Sequence, residues 1–313
     1  MKRIRHFIGD CIRLVKKIWA AAFFYFYRKV YLPGQIFLKK YFPGLVYIRT
    51  SGADIKSYRK ICLLAANDDS VFETFRVHED YAYNLGCYTN KIRGIFLDII
   101  NRDYPDLLKY SKKFEESEKF GGPETYDCGF GKFSDPTIRY IKTIGDIRNI
   151  FGALDNLKII EIGVGYGGQC KIISDVFNFA SYTMVDLKEV LPLAKRYLIN
   201  LNVQKIIYLP PDEVPALGDY DLIISNFAFA ECERFVQQDY IDKVLRYAKR
   251  GFIIYNFDTH PCQQYDPVRP YRREEITKIL SKYHKLKILQ DYPHPDHCNP
   301  FVIIWDDTAK QNV

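Results

Sequence analysis

The sequence predicts an α/β fold: a seven-stranded, mostly parallel sheet with helices on both faces, preceded by a mainly helical N-terminal region. Three observations carry this. From residue 158 onward, short apolar runs alternate with longer stretches of helical periodicity. The runs are nearly continuous rather than alternating, as strands buried on both faces require. There are seven such runs, the last two joined by a short connection.

The expected strands are Lys158–Gly163, Ser181–Asp186, Lys205–Leu209, Asp221–Asn226, Gly251–Phe257, Leu286–Asp291 and Phe301–Trp305. Helices are expected at Gly168–Phe177, Leu187–Leu201, Gln237–Lys249 and Arg273–Tyr283. Ser134-Asp135-Pro136 is a helix start signal, leading into a helix that ends at Gly152. Upstream, Tyr58–Ala66, Val71–Leu85 and Lys91–Ile100 place apolar residues at helical spacing, and the polar stretch 111–125 reads as a loop. The organisation expected is a basic aromatic arm over 1–50, a helical region or cap over 51–133, and the α/β domain over 134–313.

Charge separates the arm from the rest. Residues 1–60 hold 14 Lys and Arg against two acids, Asp10 and Asp54; the other 31 basic and 36 acidic residues leave the remainder net negative. The basic surface therefore does not belong to the α/β domain, which argues against a nucleic-acid partner. Ile18 to Tyr27 is an uncharged, aromatic-rich run between basic residues. As a helix it would rise about 15 Å, half of a ~30 Å hydrocarbon layer. Two readings stand: an interfacial helix in which residues 1–45 meet anionic lipid at the inner face of the membrane, or a helix packed on the protein. The eight Cys contain no CxxC pair, which fits a reducing, cytoplasmic compartment.

The strongest local signal is Glu161-Ile-Gly163-Val-Gly165-Tyr-Gly167-Gly168, with Gln169 following, placed after an apolar strand and before a helix. The glycines permit a tight turn and close approach of a ligand to the backbone. A carboxylate two residues before the first glycine can accept a hydrogen bond from a ligand ammonium, such as that of S-adenosyl-L-methionine. Asp186 ends the next strand, where an acid can hold both hydroxyls of a ribose; alone, it also reads as a helix N-cap. Gly163-x-Gly165-x-x-Gly168 matches the dinucleotide fingerprint as well, but Glu161 would repel a pyrophosphate there.

Over about residues 120–306 the sequence resembles the sugar O-methyltransferases of bacterial surface-polysaccharide clusters, a family of class I S-adenosylmethionine-dependent enzymes with a Rossmann-like fold. The stretches that carry this are Ser134-Asp-Pro-Thr-Ile-Arg-Tyr-Ile141, Phe151-Gly-Ala-Leu-Asp155, Glu161 to Cys170, Tyr182-Thr-Met-Val-Asp-Leu187, Ser225-Asn-Phe-Ala-Phe-Ala-Glu231 and Phe301-Val-Ile-Ile-Trp305. Val164 and Ala230 depart from the pattern, which has glycine and serine at those places. The resemblance implies methylation of a sugar hydroxyl, cytosolic action and a role in capsule or O-antigen assembly, on a nucleotide- or lipid-linked acceptor.

Methyl transfer to a hydroxyl needs in-line alignment and a proton acceptor. Candidates follow the fourth, fifth and last strands, where open sheets place ligands. Asn226 can contact cofactor or acceptor, and Glu231 can clamp the acceptor or act as base. His260 suits a base by its titration range, and Asp258-x-His260 can also ligate a divalent ion. His297, with Asn299, lies where the resembling family often has histidine and asparagine, which ranks it above His294. A zinc site from His294, His297 and Cys298 matches no common module. Metal dependence and oligomeric state stay open. Gly121–Tyr126 and Arg139 read either as linker and surface helix or as a cover over the ligand. A different anionic acceptor, or a non-catalytic binding module, are the alternative functions.

Overall fold

A computed structural model describes residues 50–85, 90–256, 268–291 and 300–308, without the side chains of 83–85. The arm, Asp258, His260, His294, His297, Cys298 and Asn299 lie outside the described residues. Among the described residues, no helix is long and apolar enough to cross a membrane. Ser51–Val313 form one compact unit.

The chain enters this unit through α1 (Lys56–Asn67), α2 (Asp69–Phe72), a 3₁₀ turn at Phe75–Val77, α3 (Glu79–Leu85) and α4 (Asn90–Asp103). Two 3₁₀ segments, Pro105–Tyr110 and Glu116–Glu118, flank α5 (Ser111–Glu115). A hairpin of β1 (Tyr126–Asp127) and β2 (Lys132–Phe133) precedes α6 (Asp135–Phe151). The α/β part then runs β3 (Lys158–Ile162), α7 (Gly168–Val176), β4 (Ser181–Val185), α8 (Leu191–Asn200), β5 (Ile206–Leu209) and β6 (Leu222–Asn226). It ends with α9 (Arg234–Tyr240), β7 (Arg250–Tyr255), α10 (Arg273–Leu280), β8 (Lys287–Gln290) and β9 (Phe301–Asp306).

The seven-stranded sheet has the order β5-β4-β3-β6-β7-β9-β8. All pairs are parallel except those made by β9, which is antiparallel to both neighbours. This order, with one reversed strand next to the edge, is that of the class I methyltransferase fold. The order reverses between β3 and β6, and at such a switch point an open sheet leaves a crevice beyond its strand ends.

Alternation along β3 builds two cores. Ile159 faces the larger one with Tyr182, Met184 and Ile224, covered by α1, α4, α6, α7 and α8. Ile160 and Ile162 face the other with Ile223 and Ile253, covered by α9 and α10. Period-two geometry therefore puts Glu161 on the face of Ile159 and Tyr182.

Four expectations need correction. The helix expected over Val71–Leu85 is broken into three pieces. Phe72, Phe75 and Arg76 are all buried, and Arg76 N–H donates to the Gly121 carbonyl at 3.0 Å, so the chain turns inward at Glu73-Thr74. The stretch 111–125 is helical as far as Glu118; buried Phe114 and Ser117 anchor it, and its charged residues conceal so narrow an apolar face. The helix expected from Leu187 starts at Leu191, because Pro192 is accommodated only in a first turn. The helix expected at Gln237–Lys249 is α9 plus a π turn, Ile241–Leu245.

Arg76 ties the cap to the α/β part. Its buried guanidinium donates to the Ser117 carbonyl at 3.1 Å, Glu118 at 2.9 Å and Ser134 Oγ at 2.5 Å, and lies 4.8 Å from the Tyr166 ring centroid. Removing one partner leaves a buried carboxylate and carbonyl without their donor. Arg76→Met is expected to lower the unfolding free energy by about 3 kcal/mol or more, read from urea denaturation; a change under about 0.5 kcal/mol would contradict the role.

Candidate cofactor and acceptor site

The site is assembled at the ends of β3, β4, β6 and β7. Gly163 has φ 78°, and a Cβ placed there would lie 1.9 Å from Ala228 Cβ. No other residue fits so close a contact with that backbone conformation. The glycine turn is thus packed against the loop after β6, across the switch point.

Glu161 lies beneath this turn, 2% exposed. Tyr182 on β4 donates to its Oε2 at 2.7 Å. Burial raises its carboxyl to about 8, against the opposing effects of the Tyr182 hydroxyl and the Arg139 charge. Asp186 follows β4 and is half-buried, accepting from Gly165 N–H at 2.9 Å and Leu187 N–H at 2.7 Å. Burial raises it to about 6 in spite of those donors. It does not cap α8, which begins five residues later; its carboxylate is turned to the glycine loop instead.

Asn226 Nδ2 donates to Gln169 Oε1 at 3.2 Å, and Gln169 Nε2 to the Tyr140 carbonyl at 3.4 Å. That orients the amide and leaves Asn226 Oδ1 buried without a partner. Phe227 has φ 71° and ψ −36°, a conformation close to the strained γ-turn region. Ser225 holds it in place: its Oγ donates to the Ile162 carbonyl at 3.0 Å and accepts from Phe229 N–H at 3.0 Å. Arg139 on α6 lies 5.5 Å from the Phe227 ring centroid. The arrangement presents Glu161 and the Asn226 oxygen as acceptors, with the Arg139 cation nearby. That set matches a zwitterionic amino-acid group.

Glu231 closes the 3₁₀ turn Ala228–Glu231, and Asn256 Nδ2 donates to its Oε1 at 3.4 Å. Its carbonyl accepts from Gly52 N–H at 2.9 Å, beside the one-residue bridge Ser51↔Cys232. The first residues of the cap therefore cover this end of the site. Of the residues singled out in the sequence, the structure places Glu161, Gly163, Gly165, Gly167, Gly168, Gln169, Asp186, Asn226 and Glu231 at or just after the ends of β3, β4 and β6. The sequence analysis does not single out Tyr182 as a partner of Glu161, which strand alternation and register indicate. Among the described residues, no group of three His, Cys, Asp or Glu is placed to hold a metal ion.

No protein-family model matches this chain, and no curated protein sequence matches it. Solved structures do. The methyltransferase domain of bacterial CtHen1 is 16% identical with a TM-score of 0.41, over 54% of this chain and 97% of that one. Protein PH0226 from Pyrococcus horikoshii is 11% identical with a TM-score of 0.44, over 55% and 92%. An rRNA methylase from Streptococcus thermophilus is 11% identical with a TM-score of 0.37, over 52% and 95%.

The Glu161 environment makes a pH prediction. Its carboxyl moves from 4.5 to about 8, so the folded chain holds the proton more tightly than the unfolded chain. This contribution to stability is complete below the lower value and is lost as pH rises through the upper one. Glu161→Gln is expected to match the wild type near pH 5 and exceed it at pH 8.5, by on the order of 1–3 kcal/mol without ligand. Thermal melts at the two pH values read this; equal stability at both would contradict it.

Proposed function

We propose that this chain is an S-adenosylmethionine-dependent O-methyltransferase that methylates a sugar hydroxyl in bacterial surface-polysaccharide synthesis, the capsule or O-antigen. The observation that supports it most is the buried Glu161 under a glycine turn, beside the unpaired Asn226 oxygen. Such acceptors suit an ammonium and oppose a pyrophosphate. S-adenosylmethionine, when bound, supplies an electrophilic methyl carbon.

The chain's own residues then have these roles. Glu161 and Asn226 hold the amino group, and Arg139 faces the carboxylate. Asp186 accepts from the ribose hydroxyls. Gly163, Gly165, Gly167 and Gly168 let the backbone approach, while Gln169 fixes Asn226. Glu231, steadied by Asn256, clamps the acceptor sugar. His297 or His260 takes the hydroxyl proton. The resemblance over residues 120–306 supports the sugar as acceptor. The basic arm favours an anionic, lipid-linked form of it, reached at the inner membrane face.

Titration with S-adenosylhomocysteine and with NADH tests the cofactor: binding to the first alone is expected, and binding to NADH alone would overturn the reading. Mass comparison of surface glycans with and without the protein tests the acceptor, the expected difference being one methyl group on a sugar. His297→Ala is expected to lower turnover at least 100-fold with S-adenosylhomocysteine affinity nearly unchanged; wild-type turnover would remove His297 from the role of base.

A further inference from the structure

We propose that Tyr81, from the helical cap, is a binding residue for the ribose of the cofactor, working opposite Asp186. The inference rests on the S-adenosylmethionine reading above and adds a ligand from outside the α/β fold.

Tyr81 lies on α3 and is 1% exposed. Its ring is held edge-on by Phe75, with centroids 4.9 Å apart at 86°, and is tilted against Tyr58 at 5.4 Å. Packing of that kind fixes the direction of the hydroxyl. The hydroxyl nevertheless makes no hydrogen bond of good geometry, although the Tyr58 hydroxyl is close enough to act on it. Buried polar groups are almost always paired, so an orphan needs a reason. Its position supplies one. A Cβ placed on Gly165 would lie 3.5 Å from the Tyr81 oxygen. Gly165 in turn donates to Asp186, and the Asp186 charge acts on both the Tyr81 and Tyr58 hydroxyls. The hydroxyl thus lies against the glycine loop whose Gly165 N–H donates to the acid that ends β4.

The chemistry of that space selects the ligand group. Ionised Asp186 only accepts hydrogen bonds, and the Tyr81 hydroxyl is free to donate. A group that gives to one and takes from the other is an alcohol, and a vicinal diol offers two. A ribose satisfies both residues at once. The cap is positioned to deliver this contact: Arg59 on α1 donates to Glu189 at 3.0 and 2.9 Å, just beyond Asp186, and to Asp54 at 2.7 Å.

Tyr81→Phe keeps the ring and removes only the hydroxyl. Affinity of the full chain for S-adenosylhomocysteine is measured by calorimetry, beside its 2′,3′-dideoxyribosyl analogue. The variant is expected to bind S-adenosylhomocysteine about five- to tenfold more weakly, and the dideoxy analogue as the wild type does. Without ligand its melting temperature is expected to be unchanged or higher, since an unpaired buried hydroxyl is lost; a merely structural tyrosine would lower it. Equal affinity of both proteins for S-adenosylhomocysteine overturns the inference and leaves the cofactor reading standing. Equal weakening toward both ligands also overturns it, as a general distortion. A wild type that binds no S-adenosylhomocysteine at millimolar concentration overturns the cofactor reading and this inference together.

Discussion

The close approach of two backbones at the switch point governs this molecule. Where β3 ends and the loop after β6 begins, Gly163 leaves no room for even a methyl group against Ala228. Beside this contact, the chain after β6 makes the strained turn at Phe227. Ser225 offsets that strain by bonding both β3 and the following turn. The same geometry buries Glu161 below the floor, with one tyrosine hydroxyl as its described donor. A carboxylate there is poorly solvated and holds its proton to about pH 8. It becomes a favourable anion only when a cation lies over it. Burial thus makes an ionised Glu161 costly unless a cation accompanies it.

The cap completes what the sheet begins. An open α/β sheet leaves one side of its crevice to solvent. Here the segment from Ser51 to Glu118 meets the α/β part through Arg59 on Glu189, Arg76 on Ser134, and Gly52 on the Glu231 carbonyl. Each contact joins cap to α/β part through a charged or backbone donor, so cap and sheet share one set of buried polar groups. Arg76 also lies against Tyr166, inside the glycine motif itself.

How much of this was legible follows from the range of the interactions. All seven strands of the main sheet could be read to within a residue or two, because burial on both faces writes continuous apolar runs. The acids and glycines of the crevice could be read because their spacing is set by one β-turn-α unit. The break after Phe72 could not, since it depends on Arg76 reaching residues forty positions on, while local periodicity favours a helix. The helical turn at Ser111–Glu115 was hidden because a single buried Phe114 anchors a charged segment. Tyr81 was invisible for the same reason: nothing near it in sequence indicates that it meets Gly165.

Charge then decides between ligands that glycines alone cannot separate. A glycine turn at a switch point accepts a dinucleotide as readily as a sulfonium nucleoside. An anion about 5 Å from ionised Glu161 would be opposed by about 3 kcal/mol at an effective dielectric of ~20, roughly a hundredfold in binding. An ammonium at that distance gains a comparable amount. Protonating Glu161 relieves the repulsion but leaves the unpaired Asn226 oxygen, which accepts and cannot donate to a phosphate. Asp186, which accepts from Gly165 N–H, adds a second carboxylate beside the glycine loop. Opposition to an anion by these groups would therefore not depend on one residue's protonation state: Glu161, Asp186 and the Asn226 oxygen are all acceptors, with Arg139 on α6 acting as a cation on Glu161.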